Sequence, residues 1–180
     1  MKSEFFKTEL ENDVVLLKQT TENDFNDLFL IGGLKEIWEQ HSETDRYKKP
    51  KFIDYFNGGL RNELGCFTII NKSDNKIVGW SRYYSYIEIE SSVRIGYTFI
   101  GKDYWGTNIN YNTKKLMLDY VFNLVDIVFF DVFSKNFRSQ KSVMKLGGKL
   151  NETNKDKYEF ILSKSVWLNE PNQETKEGTP

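Results

Sequence analysis

Apolar and polar positions follow two rhythms along this chain, and the switches between them mark out its elements. Residues 14–18, Val-Val-Leu-Leu-Lys, form a short apolar run and predict a first strand. The run Thr20-Thr21-Glu22-Asn23-Asp24 then supplies helix-capping chemistry for an amphipathic segment carrying Phe25, Leu28 and Phe29, which Gly32-Gly33 stops. A short helical piece over 34–40 and a helix over 50–60 follow, the second with Phe52, Ile53, Phe56 and Leu60 on one side and Pro50 in its first turn. Apolar runs at 65–70 and 76–86, separated by Asn71-Lys72-Ser73-Asp74-Asn75, predict a hairpin, and 93–100 predicts the next antiparallel strand.

The period then lengthens. Over 106–124, Ile109, Thr113, Leu116, Met117, Tyr120, Val121 and Leu124 recur at helical spacing, leaving Asn112, Lys114, Lys115, Asp119 and Asn123 towards water. Residues 127–133 are apolar on both faces apart from Asp131, as expected of a strand in mid-sheet. A helix over 138–146 ends at Gly147-Gly148, 157–164 supplies a last strand, and the polar tail 169–180 is expected to be disordered. Hairpins at both ends with strand–helix–strand crossovers between them predict one mixed α+β domain over 1–168.

Composition narrows the classes. At 180 residues and 39% apolar composition the chain suits a single domain with a real core. Its 25 basic and 26 acidic residues are mixed along the sequence, which gives no electrostatic footprint for nucleic acid. Cys66 is the only cysteine and lies in an apolar run, so it reads as a small buried hydrophobe rather than a nucleophile or metal ligand. No run reaches membrane-spanning length and the amino terminus lacks an apolar leader, so a cytoplasmic protein is expected, with no membrane partner and no metal.

The densest chemistry lies between Val93 and Gly148. A strand that feeds a helix through a polar turn leaves helix N–H groups pointing into that turn, which outlines a phosphate site. The turn here is Trp105-Gly106-Thr107-Asn108-Ile109-Asn110-Tyr111, whose glycine and asparagines tolerate the left-handed backbone that wrapping an anion needs.

These residues resemble the GNAT acyl-coenzyme A N-acyltransferase superfamily, and within it the branch acting on ribosomal-protein N-termini. Ile95-Gly96-Tyr97 through Asp103-Tyr104-Trp105-Gly106 is similar to that branch's fourth strand and coenzyme loop, and Leu116-Met117-Leu118-Asp119-Tyr120-Val121-Phe122 to the helix after it. Asn136-Phe137-Arg138-Ser139 and Val143-Met144-Lys145-Leu146-Gly147 resemble the Asn-x-x-Ser entry and Lys-Leu-Gly exit of the next helix. The resemblance implies a GNAT-type fold: a single mixed, mostly antiparallel sheet flanked by helices, its central strands splayed so that a pantetheine arm inserts between them. It also implies acetyl-CoA as acyl donor, a primary amine as acceptor (a small molecule or a peptide N-terminus), and direct transfer without a covalent enzyme intermediate. A homodimer is compatible with it.

The same resemblance assigns donor contacts to the backbone of Thr98, Phe99 and Ile100, to the turn from Trp105 to Tyr111, and to Asn136. Trp105, Asn108 and Asn110 stand where the wider superfamily has Gln/Arg-x-x-Gly-x-Gly/Ala, so two asparagines replace small residues at the diphosphate. Val143 stands where many relatives place an acidic tyrosine, which leaves Ser139 as the hydroxyl for the departing thiolate. His41, the only histidine, lies on the acceptor-side arm and is the candidate base, with a water chain as its rival. Arg94 stands where a relative carries an acidic strand residue, and Glu88 and Glu90 precede that strand. A catalytically silent domain of the same fold, binding coenzyme A or a partner, is the alternative.

Overall fold

A computed structural model describes residues 2–169 of the chain. Eight strands form one sheet in the order β1-β2-β3-β4-β5-β6-β8-β7. The edge strand β1 (Leu10–Glu11) leads to β2 (Val15–Gln19), β3 (Phe67–Asn71), β4 (Lys76–Ile87) and β5 (Ser92–Ile100), all paired antiparallel. β5 then pairs parallel with β6 (Ile127–Phe133), and β6 antiparallel with β8 (Lys157–Ser163), whose other side carries β7 (Lys149–Thr153). The parallel pair is joined through α4 (Ile109–Val121), the long crossover such a pair requires. α1 (Phe25–Gly32), α2 (Lys35–Trp38) and α3 (Lys49–Leu60) lie between β2 and β3, while α5 (Phe137–Lys145) and α6 (Lys164–Asn169) follow β6 and β8.

The helices divide the core in two. Under α4 lie Val93, Ile95, Met117, Leu118, Val121, Val128 and Phe130, an aliphatic cluster that Val143 of α5 joins. Under α1 to α3 lie Leu28, Trp38, Phe52, Tyr55, Phe56, Trp80 and Phe99, which is mostly rings. The strands alternate between these clusters: Tyr83 belongs to the first and Trp80 to the second. In β5 the alternation is interrupted by one extra residue, because Phe99 opposes Trp80 whereas Gly96 opposes Arg82. Tyr97 absorbs it in a left-handed conformation, φ 51°. Ile100 thereby rejoins the face of Val93 and Ile95, while Phe99 turns to the aromatic side.

The expected mixed sheet and the strands from residue 65 to 133 are all present, and β6 lies mid-sheet with its second face half-covered. Cys66 is buried, and burial pushes its thiol up. Thr21 and Asp24 form a capping box at the entry to α1.

The helical faces differ from expectation. On α3 the buried positions are Phe52, Tyr55, Phe56 and Gly59, with Ile53 exposed, since Gly59 is where the helix touches Trp80. On α4 the stripe is rotated: Leu118 and Lys114 are buried, and Leu116 and Tyr120 are only partly so. Lys114 therefore does not face water. The turn Lys2–Lys7, which buries Phe6, together with β1, β7 and α6, carries no sequence signal of its own length. Of the tail expected from residue 169, Asn169 ends α6 and residues 170–180 lie outside the described residues.

Candidate active site

Pairing between β5 and β6 runs only from Ser92↔Ile127 to Arg94↔Phe129. Beyond Arg94 the strands part, and β5 keeps its β4 partner on one edge while the other edge opens. Side chains rivet the point of divergence. The Arg94 guanidinium donates to Asp131 Oδ1 at 2.8 Å and to Glu159 Oε2 at 2.6 Å, Lys157 Nζ lies 3.2 Å from Asp131, and the Tyr84 hydroxyl donates to Asp131 Oδ2 at 3.0 Å. Burial and the adjacent Asp131 carboxylate push the Tyr84 hydroxyl up, so it stays protonated. Arg94 thus binds β5 to β6 and β8, a structural task at the position where the family resemblance has an acidic residue.

Above the rivet opens a cleft of about 1120 Å³. One wall of it is the free edge of β5, with Thr98, Phe99 and Ile100, and the turn leading into α4. Gly106 takes φ 78° with open space where a Cβ would stand, and the Asn108 side chain does not cap α4, whose first N–H, that of Ile109, makes a long bond to Thr107 Oγ1 at 3.4 Å. That N-terminus keeps its positive end free for an anion. Trp105 donates its indole N–H to the Ile100 carbonyl at 2.9 Å, and Asn110 donates to Ser142 Oγ of α5 at 2.8 Å. Asn110 therefore ties two helices together at the turn instead of standing free. Trp105, Gly106, Thr107, Asn110, Tyr111 and Asn136 line the cleft. Asn108 and Ile109 do not: Asn108 is exposed at the helix cap and Ile109 points into the core.

Asn136 is buried at the head of α5, where its side chain accepts the Ser139 N–H at 3.1 Å. This leaves the Ser139 hydroxyl in the cleft wall with no hydrogen-bond partner among the described residues. Val143 is core, as its apolar side chain dictates.

The other mouth is built by the chain after α2. His41 lies there, edge-on to Trp38 at 5.0 Å between ring centroids. Burial, with Arg46 and Arg138 nearby, draws its imidazole from 6.5 down to about 4. It is accordingly neutral throughout the physiological range and a weak base. Arg46 stands over the Tyr55 and Trp38 rings at 4.7 and 5.5 Å and pairs with Glu43 at 3.1 Å. Arg138 spans the cleft: its backbone N–H donates to Gln40 Oε1 at 3.3 Å and its guanidinium lies 3.7 Å over the Trp105 ring. Behind this mouth the Tyr55 hydroxyl donates to the Tyr97 carbonyl at the β5 bulge.

The shielding of His41 has a measurable consequence. The unfolded chain binds a proton below about pH 6.5 and the folded one only near 4, so stability is retained above 6.5 and lost as pH falls between these values, by about 3 kcal/mol. His41→Gln should flatten that part of the acid limb in urea unfolding at pH 7, 5.5 and 4. Parallel losses in the two proteins would show the imidazole to be solvated.

A group absent from the sequence expectations completes the wall. The Lys114 amine is buried, donating to Ser81 Oγ at 3.1 Å and Thr98 Oγ1 at 2.5 Å, with those two hydroxyls 2.8 Å apart. Burial alone lowers it from 10.5 to about 7. The available signal is its spacing: Lys114 shares a helical stripe with Met117, Leu118 and Val121.

Comparison with known proteins follows the same lines. The family model described as an acetyltransferase (GNAT) domain matches residues 15–149. No curated protein sequence matches significantly. Among solved structures, a GCN5-related N-acetyltransferase from Brucella melitensis superposes with a TM-score of 0.80 at 16% identity, over 90% of this chain and 81% of that one. RimJ from Mycobacterium smegmatis in complex with CoA-disulfide gives 0.69 at 18%, over 88% and 87%. Spermidine N-acetyltransferase from Vibrio cholerae, with CoA and spermine, gives 0.66 at 14%, over 88% and 100%. At such identities the likeness is one of fold.

Proposed function

Because this chain belongs to the GNAT acetyltransferase family, we propose that it transfers an acetyl group from acetyl-CoA directly to a primary amine. The observation that carries the reading is the free edge of β5 beside the start of α4, where Asn108 leaves the helix N–H groups without an N-cap bond, both on one cleft with a second mouth. An open strand edge offers N–H and C=O groups at the repeat a pantetheine arm can pair with, and the helix start suits the diphosphate. Arg138, Lys141 and Lys145 on α5 line the same cleft and add positive charge for the coenzyme's phosphates.

In this reading Thr98, Phe99 and Ile100 hold the donor, N–H groups at the Tyr97 bulge face the developing oxyanion, and the Ser139 hydroxyl hydrogen-bonds the departing sulfur. His41 and Tyr84 border the acceptor, and the lowered basicity of His41 favours a water chain for the amine's proton. Arg138 at that mouth, with Arg46 offset by Glu43, weighs against a polycation such as spermine and for a peptide N-terminus or a small amine. Among the described residues no helix is long and apolar enough to cross a membrane.

Calorimetry with acetyl-CoA and desulfo-CoA, followed by thiol release over peptide, sugar-amine and polyamine acceptors, tests this. Both ligands should bind. Gly106→Val should weaken both by about tenfold or more while the domain stays folded, since a side chain at positive φ costs about 1–2 kcal/mol and fills the space over the turn. Undiminished affinity in a folded variant moves the diphosphate elsewhere. Binding without release from any amine leaves the silent coenzyme-binding domain.

A further inference from the structure

We propose that Lys114 is the acid that supplies the leaving thiolate's proton, passing it through the Thr98 hydroxyl; the inference rests on the acetyl-transfer reading above. The amine sits in the cleft wall between the donor turn and the open edge of β5, and its contacts run to Thr98 on that edge and to Ser81 on β4. Two donors of a protonated amine serve the two hydroxyls, and nothing else polar among the described residues bonds to it. Burying an amine costs stability unless it is paired, and hydroxyl partners could have been satisfied by a neutral side chain. The feature calls for a chemical reason.

Acidity gives that reason. When the acceptor nitrogen bonds the carbonyl carbon and the C–S bond breaks, the electron pair stays on sulfur as a thiolate whose thiol has a pKa of about 8.5. A serine hydroxyl is a far weaker acid than a thiol, so Ser139 can hold the sulfur but does not yield its proton downhill. Lys114, at about 7, can. The ammonium gives a proton to Thr98 Oγ1 as the Thr98 O–H proton passes to sulfur; Lys114 recovers its proton from water, and the acceptor nitrogen releases one to water. The groups facing the amine are hydroxyls from both strands, Ser81 and Thr98. On its own helix, Asn110 is held by Ser142 of α5. Lys145 of α5 lies over the Tyr111 ring instead. Burial is thus the cause of the lowered basicity, with no charged partner contributing.

The test is a side-chain amine titration by NMR of the protein labelled in lysine, combined with pH–rate profiles. One lysine should titrate near 7 in the parent and be missing from Lys114→Met. Coenzyme A should move that midpoint, because its sulfur titrates close by and couples to the amine, and desulfo-CoA should not. With a competent acceptor, kcat of the parent should fall as pH rises through that midpoint. Lys114→Met should lose about 100-fold in kcat together with that falling limb. Thr98→Val should show the same kinetic loss with the lysine signal retained, which covers the case in which the lysine variant does not fold. If every lysine titrates near its ordinary value, or Lys114→Met keeps the parent's pH profile, the inference fails while acetyl transfer stands. If no amine is acetylated, the contrast between the two coenzymes still decides the placement of Lys114.

Discussion

Gly59→Ala should destabilise the domain by about 3 kcal/mol, and Gly59→Val should abolish folding. A Cβ at Gly59 falls 2.2 Å from two carbons of the Trp80 ring and 3.3 Å from the Cys66 sulfur. The ring cannot yield easily. Its Nε1 donates to Thr20 Oγ1 at 2.7 Å, it meets Tyr55 edge-on at 4.9 Å, and it stacks on Phe56 at 5.9 Å. α3 would have to lift from β4, opening the aromatic core that includes Phe99 on β5. Gly58, one residue earlier on the same helix, has nothing within 4 Å of its Cβ position, so Gly58→Ala should be neutral or stabilise by up to about 1 kcal/mol. Urea midpoints of the two alanine variants give the comparison; equal midpoints would show that Gly59 is not a contact point.

Tyr55→Phe should reduce kcat by about 10- to 100-fold with little change in KM for acetyl-CoA. The hydroxyl it removes donates to the Tyr97 carbonyl, the peptide that the β5 bulge holds at φ 51°. A tyrosine in the left-handed region costs about 1–2 kcal/mol, so that peptide stays put only while something holds it. Phenylalanine keeps the ring packing against Trp38 and Trp80 and leaves the buried carbonyl unpaired, at a stability cost of about 1–3 kcal/mol. Relaxation of the bulge would misdirect the N–H groups next to the reacting carbonyl and leave the pantetheine edge further along β5 intact. A loss in KM with kcat unchanged would assign the bulge to donor binding instead.

What the sequence reveals, and what it hides, follows from the range of the forces involved. Period and turn chemistry are local, so the hairpin of β3 and β4, the crossover helix and β6 can all be read from them. The turn at Gly106 is legible for the same reason, because its chemistry lies in consecutive residues. Lys114 is misplaced by the same reading. A pattern of apolar and polar residues assigns any lysine to water, whereas this one is held by Ser81 and Thr98, thirty-three and sixteen positions away. His41 lines the cleft as its place in the chain after α2 suggests, but its low basicity arises first from burial and then from Arg46 and Arg138, and the second of these comes from α5 across the cleft. The Arg94 rivet depends on Asp131 and Glu159, which the sheet order alone brings together. The edge strand β7 is exposed along its whole length and offers no alternation to read.

The division of the core by the sheet bears on how such a protein can change over generations. In the acetyl-transfer reading, donor recognition rests on hydrogen-bonding edges, a helix start and the aliphatic packing under α4, all of which tolerate little displacement. The acceptor arm is held mostly by ring-on-ring contact under α1 to α3, which is short-ranged and only loosely directional. A lineage can therefore repack that aromatic layer and reshape the second mouth while the donor half stays fixed. Trp80 and Phe99 belong to that layer but stand on β4 and β5, which also carry the aliphatic side, so the residues most resistant to drift should be found on those strands rather than on α1 to α3.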